Sequence, residues 1–211
     1  MGGGLVESAL RAGAGQPGLR LIETLRADAA PERRALHRAR MARGAAALGW
    51  GFDLAGFDRV VEADPAQGLR LRLTLDTEGR FERRQAALPE ARASWRLALS
   101  QERLASQDPW LRVKSTNRAA YDAARAALPE GVDEVILRNE RDEVCDGSIT
   151  TLFFDRGEGM RTPPLASGLL PGVLRAELAC PEEVLMVQDL PRVRLWVGNS
   201  LRGLIEAVWG G

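Results

Sequence analysis

Several residue types that support common chemistries are scarce in this sequence of 211 residues. Its two cysteines, Cys145 and Cys180, and its one histidine, His37, cannot complete the four-ligand set of a structural zinc site. No apolar run approaches the ~18 residues that a membrane-spanning helix requires. The formal net charge is zero, so no overall positive field attracts nucleic acid. We therefore predict a cytoplasmic protein with reduced thiols, no metal site, and no nucleic-acid or membrane partner.

The scarcity of lysine is the most informative of these absences, because the 29 basic residues include a single lysine, Lys114. A coding bias that replaces lysine by arginine explains the arginines but not this exception. Arginine keeps its proton near neutral pH and cannot form an imine, whereas a desolvated lysine amine can. Lys114 is therefore a candidate Schiff-base residue, and a leftover surface lysine is the alternative.

The order of patterns along the chain predicts two domains that mix helices and strands. We expect a flexible leader over residues 1–18, a small α/β domain over 19–99, a polar interdomain linker over 100–108 and a larger domain over 109–211. The leader contains glycines with the G-x-G-x-x-G spacing of dinucleotide-binding loops. They follow no predicted strand and precede an extended segment, so this motif carries no cofactor prediction.

In the first half, the sequence predicts a helix from Pro31 to Leu48 that ends before Gly49. His37, Arg40 and Gly44 lie on one stripe of this helix, and the small residue leaves room for an anion beside the arginine. Strict alternation of leucine with polar residues over 68–76 predicts a half-buried strand, followed by a turn over 77–79. A further strand is expected over 95–99.

In the second half, alternation predicts a strand over 110–114 that ends at Lys114, and cap-type residues then introduce a helix over 118–128. Strands are expected over 132–138, 144–154, 184–187 and 193–197, the second of them interrupted at Asp146. Pro171 begins a predicted helix whose first amides can bind a phosphate. An ordinary surface helix is the alternative interpretation of that segment.

Together these residues match the requirements of pyridoxal 5′-phosphate (PLP). The aldehyde of this cofactor needs an amine, its ring nitrogen needs a carboxylate, and its phosphate needs amides, hydroxyls and a cation. The sequence resembles the class IV aminotransferases, the fold-type IV PLP family, over nearly the whole chain from Leu21. The segments that carry the resemblance are 21–26, 36–41, 114–117, 143–153, 162–172 and 199–203.

The resemblance implies a small N-terminal α/β domain and a larger C-terminal pseudo-barrel α/β domain. It implies that Lys114 forms the imine with PLP and carries the proton during the reaction. Arg40 looks like the family's phosphate-binding arginine. The other residues that the resemblance places at the phosphate are Gly172, Val173, Leu174 and, as a hydroxyl donor, Ser200. Asn117 and Asn199 are weaker candidates for the substrate pocket.

The chain departs from the family pattern at two places. Asp146 stands where the family usually carries a glutamate that pairs with the pyridine nitrogen, and it is one methylene shorter. The front of the chain lacks the family's usual opening strands, which puts substrate specificity in doubt. His37 is expected to pack or cap its helix rather than act as an acid or base.

The segment 199–203 looks more like the lyase branch of the family than like the transaminases. We therefore expect elimination of pyruvate from 4-amino-4-deoxychorismate to give 4-aminobenzoate, a folate precursor. Transamination of a branched-chain or D-amino acid to a 2-oxo acid is the alternative, and a catalytically silent relative is the second. The resemblance also implies a homodimer that acts on a small-molecule amine. Arginines available for a substrate carboxylate are Arg70, Arg72, Arg96 and Arg112.

Overall fold

A computed structural model describes residues 3–62 and 67–211 of the chain. The fold consists of two compact units. The first contains the residues up to Pro89 together with Val113–Asn117, and the second contains Glu90–Arg112 and Arg118–Gly211. No helix of the described residues is long and apolar enough to cross a membrane.

The first unit is a three-stranded antiparallel sheet with helices. In chain order it comprises α1 (Gly3–Gly13), β1 (Leu21–Arg26), α2 (Pro31–Leu48), α3 (Leu54–Glu62), β2 (Leu69–Leu75) and β3 (Phe81–Ala87), with the strands in the order β1-β2-β3. The leucines of β2 at positions 71, 73 and 75 are fully buried, because a strand with period two turns them all toward one face. This face of the sheet contributes to the hydrophobic core of the unit.

Helix α2 confirms the boundaries expected from the sequence. Pro31 starts it without losing a needed backbone donor, and Gly49 ends it in the left-handed conformation with φ of 74°. The absence of a side chain at Gly44 lets α2 approach β1, because a Cβ there would lie 3.1 Å from Leu21 Cδ2.

The second unit is a closed barrel of six strands. They are β4 (Ser94–Leu104), β5 (Glu134–Asn139), β6 (Val144–Gly147), β7 (Thr151–Asp155), β8 (Arg194–Asn199) and β9 (Gly203–Trp209). Strand β4 runs parallel to both of its neighbours, β5 and β9, and the other pairs are antiparallel. Helices α4 (Ala119–Ala126) and α5 (Val173–Leu178) complete the unit.

The structure corrects three expectations about local structure. The predicted leader over residues 1–18 carries helix α1, in a part of the chain where Leu10 is buried. The polar segment over 100–108 begins as strand, because β4 continues to Leu104 and pairs with Asn139 of β5. The two compact units divide between Pro89 and Glu90 rather than within that segment.

The expected strand over 110–114 is also wrong. Pro109–Arg112 form a 3-10 turn, which the Asp108 carboxylate begins by accepting a hydrogen bond from Trp110 N at 2.9 Å. The expected strand over 184–187 is reduced to a single bridge between Met186 and Glu143, because a 3-10 turn starts at Val187.

Candidate functional site

Lys114 lies on an extended segment that pairs with the first strand. Its carbonyl accepts a hydrogen bond from Ile22 N at 2.8 Å, and the adjacent Ser115 forms an antiparallel bridge with Leu21. Thr116 N donates to Arg20 O at 2.9 Å, which closes the pairing on the other side. Backbone pairing with β1 therefore fixes the only lysine of the chain, although no regular strand precedes it.

Glu23 of β1 is the most deeply buried charged group near this pairing. Its side chain is 0% exposed and accepts hydrogen bonds from Arg40. Arg40 donates from Nε to Oε1 at 2.8 Å and from Nη2 to Oε2 at 2.6 Å, so the guanidinium is held along one edge. His37 Nδ1 lies 2.6 Å from the same Oε2. The stripe of α2 predicted to accept an anion thus holds a carboxylate of the protein itself.

The charge state of Glu23 follows from this arrangement. Burial alone would raise the pKa of its carboxyl, but the charges and hydrogen bonds of Arg40 and His37 lower that pKa to about 2. Glu23 is therefore ionised at neutral pH and fixes the plane of the Arg40 guanidinium. His37 is fully buried, and no described residue forms a hydrogen bond with its Nε2.

Sequence reasoning did not single out Glu23. The signal was present, because alternation in β1 places Leu21, Glu23 and Leu25 on one face, where a lone acid among leucines requires a buried partner. His37 packs inside the unit, in agreement with the expectation from the sequence. The assignment of Arg40 to a phosphate stays a prediction.

Asp146 occupies the middle of the short strand β6 in the second unit. It is 3% exposed, and its Oδ2 accepts a hydrogen bond from Leu170 N at 3.0 Å. Burial, and then the negative charge of Asp146, raise the pKa of both Tyr121 and Cys145. Both neighbours are therefore neutral at pH 7.

A buried glutamate organises the turn that follows Asp146. Glu134 of β5 accepts hydrogen bonds from Ser148 N at 3.1 Å, from Ile149 N at 3.1 Å and from Thr150 Oγ1 at 2.9 Å. Gly147 is required there, because a Cβ would lie 2.8 Å from Glu134 Oε2 and 2.3 Å from Thr150 Oγ1. The sequence analysis did not identify Glu134 either, because it stands at the start of an apolar strand, where a charged residue usually faces solvent.

The residues expected at the cofactor phosphate lie at the start of α5 and in the turn between β8 and β9. Gly172 precedes α5, and a Cβ there would lie 2.6 Å from Thr151 Oγ1. A Cβ at Gly198 would lie 2.6 Å from Leu174 Cδ2, so the two segments adjoin. Val173 and Ser200 are both buried.

The two asparagines suggested for the substrate pocket both take part in local backbone structure. Asn199 Oδ1 accepts hydrogen bonds from Leu201 N and Arg202 N, and its Nδ2 donates to Ile149 O at 3.1 Å. Asn117 N donates to Ser115 Oγ at 3.2 Å. Asn199 thereby ties the β8–β9 turn to the turn that Glu134 organises.

Comparison with known proteins places this fold in a family. Residues 20–208 match the family model of amino-transferase class IV. A proposed amino-acid aminotransferase from Mesorhizobium loti is 38% identical, with a TM-score of 0.85 over 90% of this chain and 99% of that one. Comparison with curated proteins found no match.

Two more distant structures share the fold. The 4-amino-4-deoxychorismate lyase from Pseudomonas aeruginosa is 23% identical, with a TM-score of 0.75 over 90% of this chain and 82% of that one. A hypothetical aminotransferase from Mycobacterium tuberculosis, in a form with α-ketoglutarate and PMP bound, is 21% identical, with a TM-score of 0.76 over 94% of this chain and 84% of that one. The family depends on PLP. By its family match and its barrel fold, this chain belongs to the class IV aminotransferases.

Proposed function

We propose that this chain is a PLP-dependent enzyme in which Lys114 supplies the amine that binds the cofactor. The observation that carries the proposal is that Lys114 is the only lysine and that β1 holds its backbone, because Ile22 N donates to Lys114 O and Leu21 forms a bridge with Ser115. Because arginine cannot replace a lysine in imine formation, no other side chain can take this role.

The residues present fit the cofactor by their chemistry. Asp146 is a buried carboxylate of the kind that a pyridinium nitrogen requires. Gly172 lies close to Thr151, because a Cβ at this position would be 2.6 Å from Thr151 Oγ1, so only glycine lets the backbone before α5 approach this hydroxyl. Arg40 supplies a cation, and the amides of Val173 and Leu174 begin α5. These residues would hold the ring nitrogen and the phosphate.

When bound, PLP withdraws electrons from the carbon next to the substrate nitrogen and makes a proton on that carbon labile. Each residue then has a defined task. Lys114 Nζ would accept this proton. The Asp146 carboxylate keeps the ring nitrogen protonated, with its own position fixed by Leu170 N. Glu23 keeps the Arg40 guanidinium in one plane for the phosphate.

The reaction that we propose first is the elimination of pyruvate from 4-amino-4-deoxychorismate, which leaves 4-aminobenzoate. The segment Asn199 to Gly203 supports this choice, and its asparagine connects two turns of the barrel. Transamination is the second candidate, supported by the name of the 38% identical Mesorhizobium loti protein. We also propose that the protein acts as a homodimer on a small-molecule amine.

Cofactor attachment is tested by borohydride reduction of the protein after incubation with PLP, followed by peptide mapping. We expect the label on Lys114, and Lys114→Ala should give neither label nor activity. A protein without the absorbance of a bound cofactor, or with label confined to the N-terminal amine, would contradict the proposal and favour a catalytically silent relative.

The reaction type is tested by supplying 4-amino-4-deoxychorismate as the sole substrate. A lyase needs no amino acceptor, so we expect repeated turnover to pyruvate and 4-aminobenzoate. A transaminase stops after one turnover without a 2-oxo acid. If pyruvate stays at background while a 2-oxo acid allows conversion of an amino acid, the second candidate is correct.

A further inference from the structure

Glu134 is a buried ionisable group that none of the proposed chemical steps uses. Its side chain is 0% exposed, Oε1 accepts a hydrogen bond from Ser148 N, and Oε2 accepts from Ile149 N and Thr150 Oγ1. Arg125 Nη1 lies 3.6 Å from Oε1, beyond hydrogen-bond distance. Burying a carboxylate is costly unless hydrogen bonds compensate it, and here one turn of the chain provides those bonds.

The same turn is also held through its carbonyl groups. Arg118 Nη2 donates to Ser148 O at 2.7 Å, and Asn199 Nδ2 donates to Ile149 O at 3.1 Å. Both residues therefore have their backbone N–H and their carbonyl in hydrogen bonds with side chains from elsewhere in the barrel unit. A polar network whose members are all satisfied is rigid. We name residues 147–150 the clamped turn.

Asp146 stands directly before the clamped turn, where the pairing of β6 is irregular. The register of β6 with β5 shifts between Val144 and Gly147, so two residues of β6, one of them Asp146, stand opposite a single residue of β5. Such a bulge disrupts the regular ladder of hydrogen bonds. On its other edge β6 pairs with β7 through Asp146 and Thr151. The β5–β6 ladder therefore does not fix the backbone of Asp146 by itself.

Resting on the proposed role of Asp146 at the ring nitrogen, we propose that Glu134 is a positioning residue that acts through Asp146. An aspartate side chain is short, so the position of its carboxylate closely follows the backbone. Glu134 holds the backbone just after Asp146, and Leu170 N holds Oδ2 of the carboxylate at 3.0 Å. Loss of the Glu134 charge should therefore loosen the Asp146 carboxylate and weaken its bond to a protonated ring nitrogen.

The test compares PLP with 1-deazapyridoxal 5′-phosphate, an analogue in which a C–H group replaces the ring nitrogen. The dissociation constants of both compounds are measured by absorbance titration. A hydrogen bond to a charged group should make the unaltered protein prefer PLP by ~10–100-fold, and Asp146→Asn should reduce this preference to less than about 2-fold. Glu134→Gln should lower the preference by ~5-fold or more and change the affinity for the analogue by less than about 2-fold.

A milder variant and a control accompany Glu134→Gln. Thr150→Val removes one hydrogen-bond donor to Glu134 and keeps the size of the side chain, so it should lower the preference for PLP by ~3-fold. This variant carries the test if Glu134→Gln does not fold. Ser100→Ala is the control, because Ser100 is a buried hydroxyl of β4 that accepts a hydrogen bond from Glu102 N, and both affinities should stay unchanged.

A double variant shows whether Glu134 acts through Asp146. If it does, Glu134→Gln weakens PLP binding in the unaltered protein but has no further effect on Asp146→Asn, because the effects of coupled residues are not additive. Equal weakening of PLP and of the analogue, or equal effects of Glu134→Gln in the two backgrounds, would give Glu134 a purely structural role and overturn the proposal.

Hydrogen exchange of the unloaded protein, measured by NMR, tests the clamped turn without the cofactor. The amides of Ser148 and Ile149 should exchange slowly in the unaltered protein and faster by ~10-fold or more in Glu134→Gln. If these two amides of the unaltered protein exchange as fast as exposed ones, Glu134 does not hold the turn and the proposal is overturned.

The outcomes separate this inference from the proposed function. If the unaltered protein binds neither compound, the role of Lys114 is refuted, and if it binds both equally, the role of Asp146 is refuted; the inference fails with either. If the unaltered protein prefers PLP and Asp146→Asn does not, but Glu134→Gln and Thr150→Val keep the preference, only the positioning role of Glu134 is refuted.

Discussion

Replacing Glu23 by glutamine tests whether the buried ion pair with Arg40 holds the first unit together. The substitution keeps the shape of the side chain but leaves a guanidinium that is 8% exposed without its counter-charge. Removing one partner of a buried pair costs about 3–5 kcal/mol. The same partners lower the pKa of the Glu23 carboxyl from 4.5 to about 2 although burial alone would raise it, so the folded state favours the charged carboxylate.

The assay is urea denaturation followed by circular dichroism, which gives the free energy of unfolding of Glu23→Gln against the unaltered protein. Glu62→Gln is the matched control, because Glu62 is 63% exposed and its pair with Arg34 lies on the surface at 3.4 Å. Such exposed pairs contribute about 0–1 kcal/mol. If Glu23→Gln lowers the free energy of unfolding by less than about 1 kcal/mol, the reasoning is refuted, because the buried carboxylate would then contribute no more to stability than an exposed one.

Three other perturbations have defined outcomes. The contribution of Glu23 to the free energy of unfolding should be complete above its unfolded pKa of 4.5 and be lost as the pH falls toward about 2. The difference in free energy of unfolding between the unaltered protein and Glu23→Gln should therefore narrow with acidification, and a difference that stays constant would contradict this. Gly147→Ala should destabilise the barrel by several kcal/mol or prevent folding, because the added Cβ would collide with Thr150 and Glu134. Gly15→Ala is the control: no atom lies within 4 Å of its added Cβ, so it should unfold at the same urea concentration as the unaltered protein. Asp146→Asn should still bind PLP but lose turnover by ~10²–10³-fold, as measured by pyruvate release, and turnover at the native rate would move the ring partner elsewhere.

Local signals allowed prediction of the elements whose boundaries depend on one or two residues. Helix α2 runs from Pro31 to Leu48 as expected, because proline and glycine act on the backbone wherever they stand. Strand β2 follows from strict alternation of leucine with polar residues. The match to the class IV aminotransferases was also predictable, since six ordered segments carry it.

The geometry of the candidate site could not be predicted, because it depends on contacts between residues that are far apart in the sequence. The pairing of Lys114 with Ile22 joins distant parts of the chain, and the sequence between Trp110 and Lys114 alternates like a strand although Pro109 starts a 3-10 turn. Glu134 holds a turn more than a dozen residues away. Such pairs are visible only once the strands have been placed side by side.

Strand β1 serves two proposed tasks of the first unit, the orientation of Arg40 and the positioning of Lys114. It can serve both because successive residues of a strand point to opposite faces. Glu23 points to the helix face and fixes Arg40, whereas Ile22 lies on the opposite face and is in register with Lys114. A change of register by one residue would exchange these faces and destroy both arrangements together. The buried Glu23 opposes such a change, because its partners among the described residues, His37 and Arg40, both lie on α2. The same carboxylate that orients the arginine therefore also maintains the register in which Ile22 pairs with Lys114.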